Sequence, residues 1–222
     1  MVHQIIKSKH RVFAETLVLT VLILIIGFAI GFLVESGRIN DATENYQNFE
    51  VKALDLQLQR DYFGTLNESN CNQAIRENLI FADNLYNEGL LIERYEQVNQ
   101  INPEVLTQKK IYVLLKTQLW LNSIKLKEQC SKASHTVVYV YTQKPDLTKE
   151  AEQSAMSKTL KEVKDELNNT IILIPIAGDL GLNSVEMQLR TYNINYLPSI
   201  IIDEKKVLEG FHNKEEILAL LN

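Results

Sequence analysis

From Thr16 to Val34 the chain reads "TLVLTVLILIIGFAIGFLV", 19 residues without a charge. As a helix this stretch covers roughly 28 Å, about the thickness of a bilayer's hydrocarbon core. A buried helix of a soluble protein rarely shows such purity. A cleaved signal peptide has a shorter apolar region and a small-residue cleavage site; here "ESGRIN" follows instead. The expectation is an uncleaved membrane anchor at 16–34, preceded by a short tail at 1–15.

The period then becomes helical. Ala42, Tyr46, Phe49, Ala53, Leu56 and Tyr62 recur every three or four residues between Ile39 and about Leu66. "GTLNESN" (Gly64 to Asn70) reads as a turn. A second helix is predicted from about Cys71 to Asn99, with Ile75, Leu79, Ala82, Tyr86 and Ile92 on one side. "NPE" at Asn102 to Glu104 is a helix start, with asparagine as cap and proline in the first position. The third helix runs through Ile111, Leu114, Leu115, Leu121 and Ile124 to about Cys130. Residues 35–133 are thus expected to form a helical stalk.

From His135 the pattern changes again. "HTVVYVYT" is a β-branched and aromatic run, hence a strand. Asp146 to Leu167 is a helix with Ala151, Ala155, Leu160, Val163 and Leu167 as its apolar positions. "TIILIPIAG" (Thr170 to Gly178) is continuously apolar and is predicted as a central, buried strand. Asn183 to Ile194 is a helix capped by Asn183 or Ser184. "PSIIID" and "KVLEGF" form a hairpin over "EKK", and Asn213 to Leu221 closes the chain as a helix. The order β-α-β-α-β-β-α implies a mixed four-stranded sheet, α+β or α/β, with helices packed against it.

Composition and charge narrow the function. Hydrophobic residues make up 45%, enough for a real core. The formal net charge of -5 argues against a general nucleic-acid binder. The tail and span hold Lys7, Lys9, Arg11 and Glu15, a net of +2, which leaves -7 for the rest. By the positive-inside rule the tail is cytoplasmic and the remainder lies outside. Gly27 and Gly31 make a G-x-x-x-G that would let two helices approach closely, so a homodimer through the span is one expectation.

The two cysteines, Cys71 and Cys130, lie symmetrically about residue 100, where the turn between the second and third helices is predicted. Antiparallel helices of equal length bring these ends together, and outside the membrane such a pair oxidises. A structural disulfide is expected. A redox-active pair would instead sit as C-x-x-C at a helix start. The four histidines lack partners at metal-ligand spacing. "IAGDLG" (Ile176 to Gly181) has neither G-x-G-x-x-G nor a Walker lysine, and Asp179 and Asp203 read as turn residues. No cofactor or metal is expected. "NES" at Asn67 and "NNT" at Asn168 are glycosylation sequons.

A helix, then "YNINYLPSIIIDEKKVLEGF", then a short amphipathic helix, resembles the C-terminal half of the thioredoxin fold, over about Ser134 to Asn222. In that family a cis-proline starts the third strand; Pro198, preceded by Leu197, matches it. Gly210 matches the glycine before the last helix. The family's C-x-x-C follows the first strand, where this chain reads "TQKPDLTKE", with Pro145 and Thr148 in place of the cysteines. Exchange needs a thiolate, so this domain alone cannot perform it. The resemblance implies a non-enzymatic binding or scaffold module. Its contact groove would lie at Thr142 to Thr148 and at Tyr196, Leu197, Pro198 and Ser199, facing a protein partner or substrate. The alternative is a membrane-tethered thiol–disulfide oxidoreductase using Cys71 and Cys130.

Overall fold

The computed structural model describes residues 9–63, 65, 70–98, 103–131 and 133–221, with side chains described for 12–32, 51–63, 65, 70–89, 106–131 and 133–221. The chain divides into two compact units, Met1–Asn48 and Phe49–Asn222.

The described backbone of the first unit is helical, part of α1 (Lys9–Phe63). Val12–Phe32 is long and apolar enough to cross a membrane, and none of it is buried within the chain. The hydroxyls in this stretch are satisfied by the helix itself. Thr16 Oγ1 donates to Val12 O and Phe13 O, and Thr20 Oγ1 to Thr16 O. A polar group without water needs such a partner. Beyond the apolar stretch α1 continues through "ESGRIN". One glycine, Gly37, in an otherwise helix-compatible stretch costs only about 1 kcal/mol, too little to stop a helix.

The second unit begins with the rest of α1, followed by α2 (Cys71–Val98) and α3 (Pro103–Gln129). Most of the expected turn at 64–70, the Asn102 cap, and the side chains of Ala42, Tyr46, Phe49 and Ile92 lie outside the described residues. The buried faces of these helices match those expected in part: Leu56 and Leu115 are buried, and Ile75, Leu79, Ala82 and Ile124 pack against the core. Leu56 and Phe63 are buried in α1, while Ala53 and Tyr62 are exposed. Among the described residues of α2 the buried positions are Cys71, Ala74, Asn78, Leu85 and Gly89, and Tyr86 is exposed. Leu114 of α3 is exposed, but Tyr112, Val113, Leu115, Leu119, Trp120 and Leu126 are buried. Burial on more than one side explains why a single stripe misread α3: it packs against α2, β1, β2 and α5.

Cys71 and Cys130 form a disulfide with a Cα–Cα distance of 5.6 Å. It sits in a small apolar cluster with Phe63, Ala74 and Leu126.

The sheet contains β1 (His135–Tyr141), β2 (Ile171–Ala177), β3 (Ser199–Ile202) and β4 (Lys206–Glu209), in spatial order β2-β1-β3-β4. β1 pairs parallel with β2 (Val138 opposite Ile174) and antiparallel with β3 (Val138 opposite Ile201). β3 and β4 form the hairpin. The expected central place of β2 is therefore a correction: β2 is an edge, and β1 and β3 are interior. Pro175, in the middle of β2, supplies the reason. A proline cannot donate to a ladder and is confined to edges. Gly178 N donates to Tyr141 O, and amide direction alternates along a strand, so Pro175 N faces away from β1.

Both faces of the sheet are covered. Val138, Val140, Ile172, Ile174, Ile176 and Ile201 pack with α3 and with Val185 of α5 (Asn183–Thr191). Val137, Tyr139, Ile171, Ile200 and Ile202 pack with Met156, Leu160 and Val163 of α4 (Leu147–Leu167) and with Ile217 and Leu221 of α6 (Lys214–Leu221). Double-sided cover accounts for the continuous apolar runs of β1 and β2. Three fully buried isoleucines in β3, each contributing about 1.5–3 kcal/mol, hold a four-residue strand in place.

Smaller differences concern ends. Ala151 and Ala155 of α4 are exposed, while Met156 is buried. The N-cap of α5 is Leu182, with no side-chain cap bond, rather than Asn183 or Ser184. Thr170 lies in a 3-10 turn, so β2 starts one residue later. The hairpin turn centres on Asp203 and Glu204, both with positive φ (47° and 57°) and closed by Lys205 N donating to Ile202 O at 3.0 Å. Two consecutive left-handed residues match the right-handed twist of the strands they join.

Candidate functional site

The loop after β1 is fixed from three sides. Thr142 N donates to Gln153 Oε1 (2.7 Å), and Gln153 Nε2 donates back to Thr142 O (3.1 Å). Gln143 N donates to Asp179 Oδ1 (2.7 Å), tying the loop to the one after β2. Asp146 caps α4 by accepting from Lys149 N at 2.9 Å, a contact that satisfies an otherwise orphaned helix donor. Tyr139 donates to Gln153 O beneath it, and burial pushes its phenol up to about 12.

The segment before β3 meets the same helix. Leu197–Pro198 is a cis peptide, as expected from the sequence. Pro198 O accepts from Gly210 N at 2.8 Å, which locks the start of β3 to the end of β4. Gly210 has φ +80°, a conformation that favours glycine. Glu152 of α4 then joins three elements. Its Oε2 accepts from Tyr196 Oη (2.7 Å) and its Oε1 from Phe211 N (3.0 Å). The bond to Glu152 raises the Tyr196 phenol. Lys149 Nζ stands 5.5 Å from the centre of the Tyr196 ring.

The expected groove residues separate by exposure. Tyr196 and Thr148 are exposed; Pro145 and Leu197 are half-buried; Pro198 and Ser199 are buried. Leu197 packs against the sheet's core, and Ser199 Oγ donates to Tyr196 O. The surface is therefore built by Tyr196 together with Phe211, Lys149 and Glu152, which sequence reasoning did not single out. Phe211 stands next to the glycine already noted, and an aromatic at that position was the available signal. Glu152 carried no such signal, because its partners lie 44 and 59 residues away.

A second polar cluster joins α3 to the hairpin turn. Lys127 Nζ donates to Thr136 Oγ1 (2.7 Å) and Asp203 Oδ1 (3.0 Å) and pairs with Glu204. Trp120 Nε1 donates to Glu204 Oε1 at 2.8 Å and its ring stacks on Tyr192. Asp203 also accepts from Thr136 N and meets His135 Nδ1. Burial alone would raise the Asp203 carboxyl, but the bonds from His135, Thr136 and Lys127, with the lysine's charge, hold it below the ordinary carboxylate range. Thr136 is fully buried, so its hydroxyl meets no substrate and the cluster acts as a clasp. Among the described residues no group of three His, Cys, Asp or Glu is arranged to hold a metal ion.

Comparison with known protein families finds no match, and no curated protein matches. Among solved structures, one described as "Structure of a malarial protein" is similar over 39% of this chain and 92% of that chain, at 19% identity and a TM-score of 0.31. A likeness at that TM-score carries no argument about this chain's fold or function.

Proposed function

We propose that this chain is a single-pass membrane-anchored protein, its tail cytoplasmic and its larger unit extracytoplasmic, that works as a binding or scaffold module through a redox-inactive thioredoxin-like domain. The thioredoxin-like reading is supported by a parallel β1–β2 pair, an antiparallel β3–β4 hairpin headed by Pro198, and Gly210 at the end of β4. The chain has no cysteine in this region. Pro145 and Thr148 stand where a dithiol would be. The buried sulfurs of Cys71 and Cys130 weigh against the oxidoreductase alternative, because attack on a disulfide requires access.

The observation that carries the proposal is the pair Tyr196 and Phe211, both exposed and both held by the one carboxylate of Glu152. Rigid, exposed aromatics lose little entropy on binding, which suits them to anchor a protein partner. In the span, the G-x-x-x-G of Gly27 and Gly31 supports a homodimer through the membrane helix.

The test is a photocrosslinking residue at Tyr196 in intact cells. A defined adduct that is lost with Phe211→Ala supports the reading. A membrane-impermeant quencher of the reaction reports the orientation. An adduct pattern identical to that of a probe at exposed Lys158 would refute the groove's role.

A further inference from the structure

The C-terminal part of α1 has two apolar sides. Leu56 and Phe63 point inward and are 0% and 3% exposed. Val51, Leu54, Leu58 and Tyr62 follow one another at steps of three and four residues and so share one face. They are 65%, 55%, 68% and 57% exposed. At 100° per residue this face lies on the side of the helix away from Leu56 and Phe63. The inner side already joins the fold's core, so the outer stripe is not a core face left unfilled. It extends for roughly 17 Å along the helix, three turns.

Its borders are acidic. Asp55 flanks it on one side and Asp61 on the other, both exposed. Asp55 accepts from the neutral side chain of Gln59 at 2.7 Å, and Asp61 meets Arg60 at 3.5 Å. Lys52, which could oppose them, is turned to Glu88 of α2.

We propose that this outer face is a docking surface for an amphipathic helix of a partner protein whose apolar stripe is bordered by lysine or arginine. Charge separates this occupant from the others. A second copy laid against the stripe would set aspartate borders against aspartate borders, and like charges so placed are unfavourable. An anionic lipid surface meets the same repulsion. A helix with basic borders gains pairing on both sides of its apolar contact, the usual arrangement of a helix recognised by i, i+3, i+4 anchors. The proposal does not depend on the surface at Tyr196.

The experiment uses the full chain in nanodiscs of zwitterionic phosphatidylcholine, with empty nanodiscs as the blank. The probes are two fluorescent helical peptides with one leucine stripe, bordered by lysine in one and by glutamate in the other. Anisotropy should show saturable binding of the lysine-bordered peptide only. Leu58→Glu should weaken it about tenfold or more, the loss of one central anchor. Asp55→Lys with Asp61→Lys should reverse the preference between the two peptides. Because these side chains are exposed, Trp120 fluorescence should stay unchanged; if Leu58→Glu alters it, Leu54→Gln with Val51→Gln replaces it. Equal binding of both peptides, or binding indifferent to the stripe, overturns the proposal. So does a dimer in sedimentation that Leu58→Glu converts to monomer, since the occupant is then a second copy.

Discussion

Replacing Cys71 and Cys130 together by alanine opens a bridge between residues 59 positions apart. On the chain-entropy account, closing such a loop removes about 14 cal/mol/K from the unfolded chain, or about 4 kcal/mol at 25 °C. Loss of the two buried sulfurs from the cluster of Phe63, Ala74 and Leu126 adds about 1 kcal/mol. Against a typical total of about 5–15 kcal/mol, the variant should lose a third or more of its stability. Denaturant unfolding of the full chain in neutral micelles reads this directly. Trp120 is the single tryptophan, is buried and stacks on Tyr192, so its emission reports the junction of α3 and the sheet. The midpoint should fall, and the denaturant slope should rise, because an uncrosslinked unfolded chain exposes more surface. Reduced parent protein keeps its sulfurs and should show the entropic part alone. A loss below about 1 kcal/mol with an unchanged slope would refute the reasoning.

Two further outcomes are expected. Asp203→Asn keeps the left-handed turn, which asparagine tolerates, but loses the charge contact with Lys127 and weakens the hydrogen bonding around it, and should cost about 2 kcal/mol near neutral pH. Because the folded carboxyl titrates below its ordinary value of 3.8, the parent's advantage is complete above that value and disappears as pH falls through the folded one. A difference between parent and variant that persists unchanged in strong acid would contradict this. At Gly89, an added Cβ would lie 1.9 Å from Tyr112 Oη, which donates to Leu85 O. Helix propensity favours Gly89→Ala by about 1 kcal/mol, yet the clash should win with a net loss of about 2 kcal/mol. Tyr112→Phe in the same chain should recover part of that loss, as read by thermal unfolding.

What could be read from the sequence follows from locality. The apolar span, the β-branched run of β1, the Asp146 cap and the proline at the head of β3 are all announced within a few residues of themselves. Cys71 and Cys130 needed only the symmetry of two helices about a turn. β2 was misplaced because double-sided burial looks the same at an edge covered by helices as in the middle of a sheet; Pro175 was the one residue that discriminated. The face of α3 was only partly legible because a helix packed on several sides has no single stripe. The clasp of Trp120, Lys127, Thr136, Asp203 and Glu204 was invisible for a different reason. Its bonds span from 9 to 84 residues, and each residue alone is an ordinary polar side chain. The same holds for Glu152, which makes Tyr196 and Phe211 one surface.

Pro175 has a wider consequence. The two outer strands of a sheet are where separate chains can zip together by backbone pairing. Here one outer strand, β2, has lost an outward amide at its centre, and the other, β4, is four residues long and begins with Lys206. Neither gives an incoming strand a long ladder to extend. Chains confined to one membrane meet far more often than the same number in free solution. For a chain anchored as proposed, a sheet that stops cleanly at both borders would keep frequent collision from becoming aggregation.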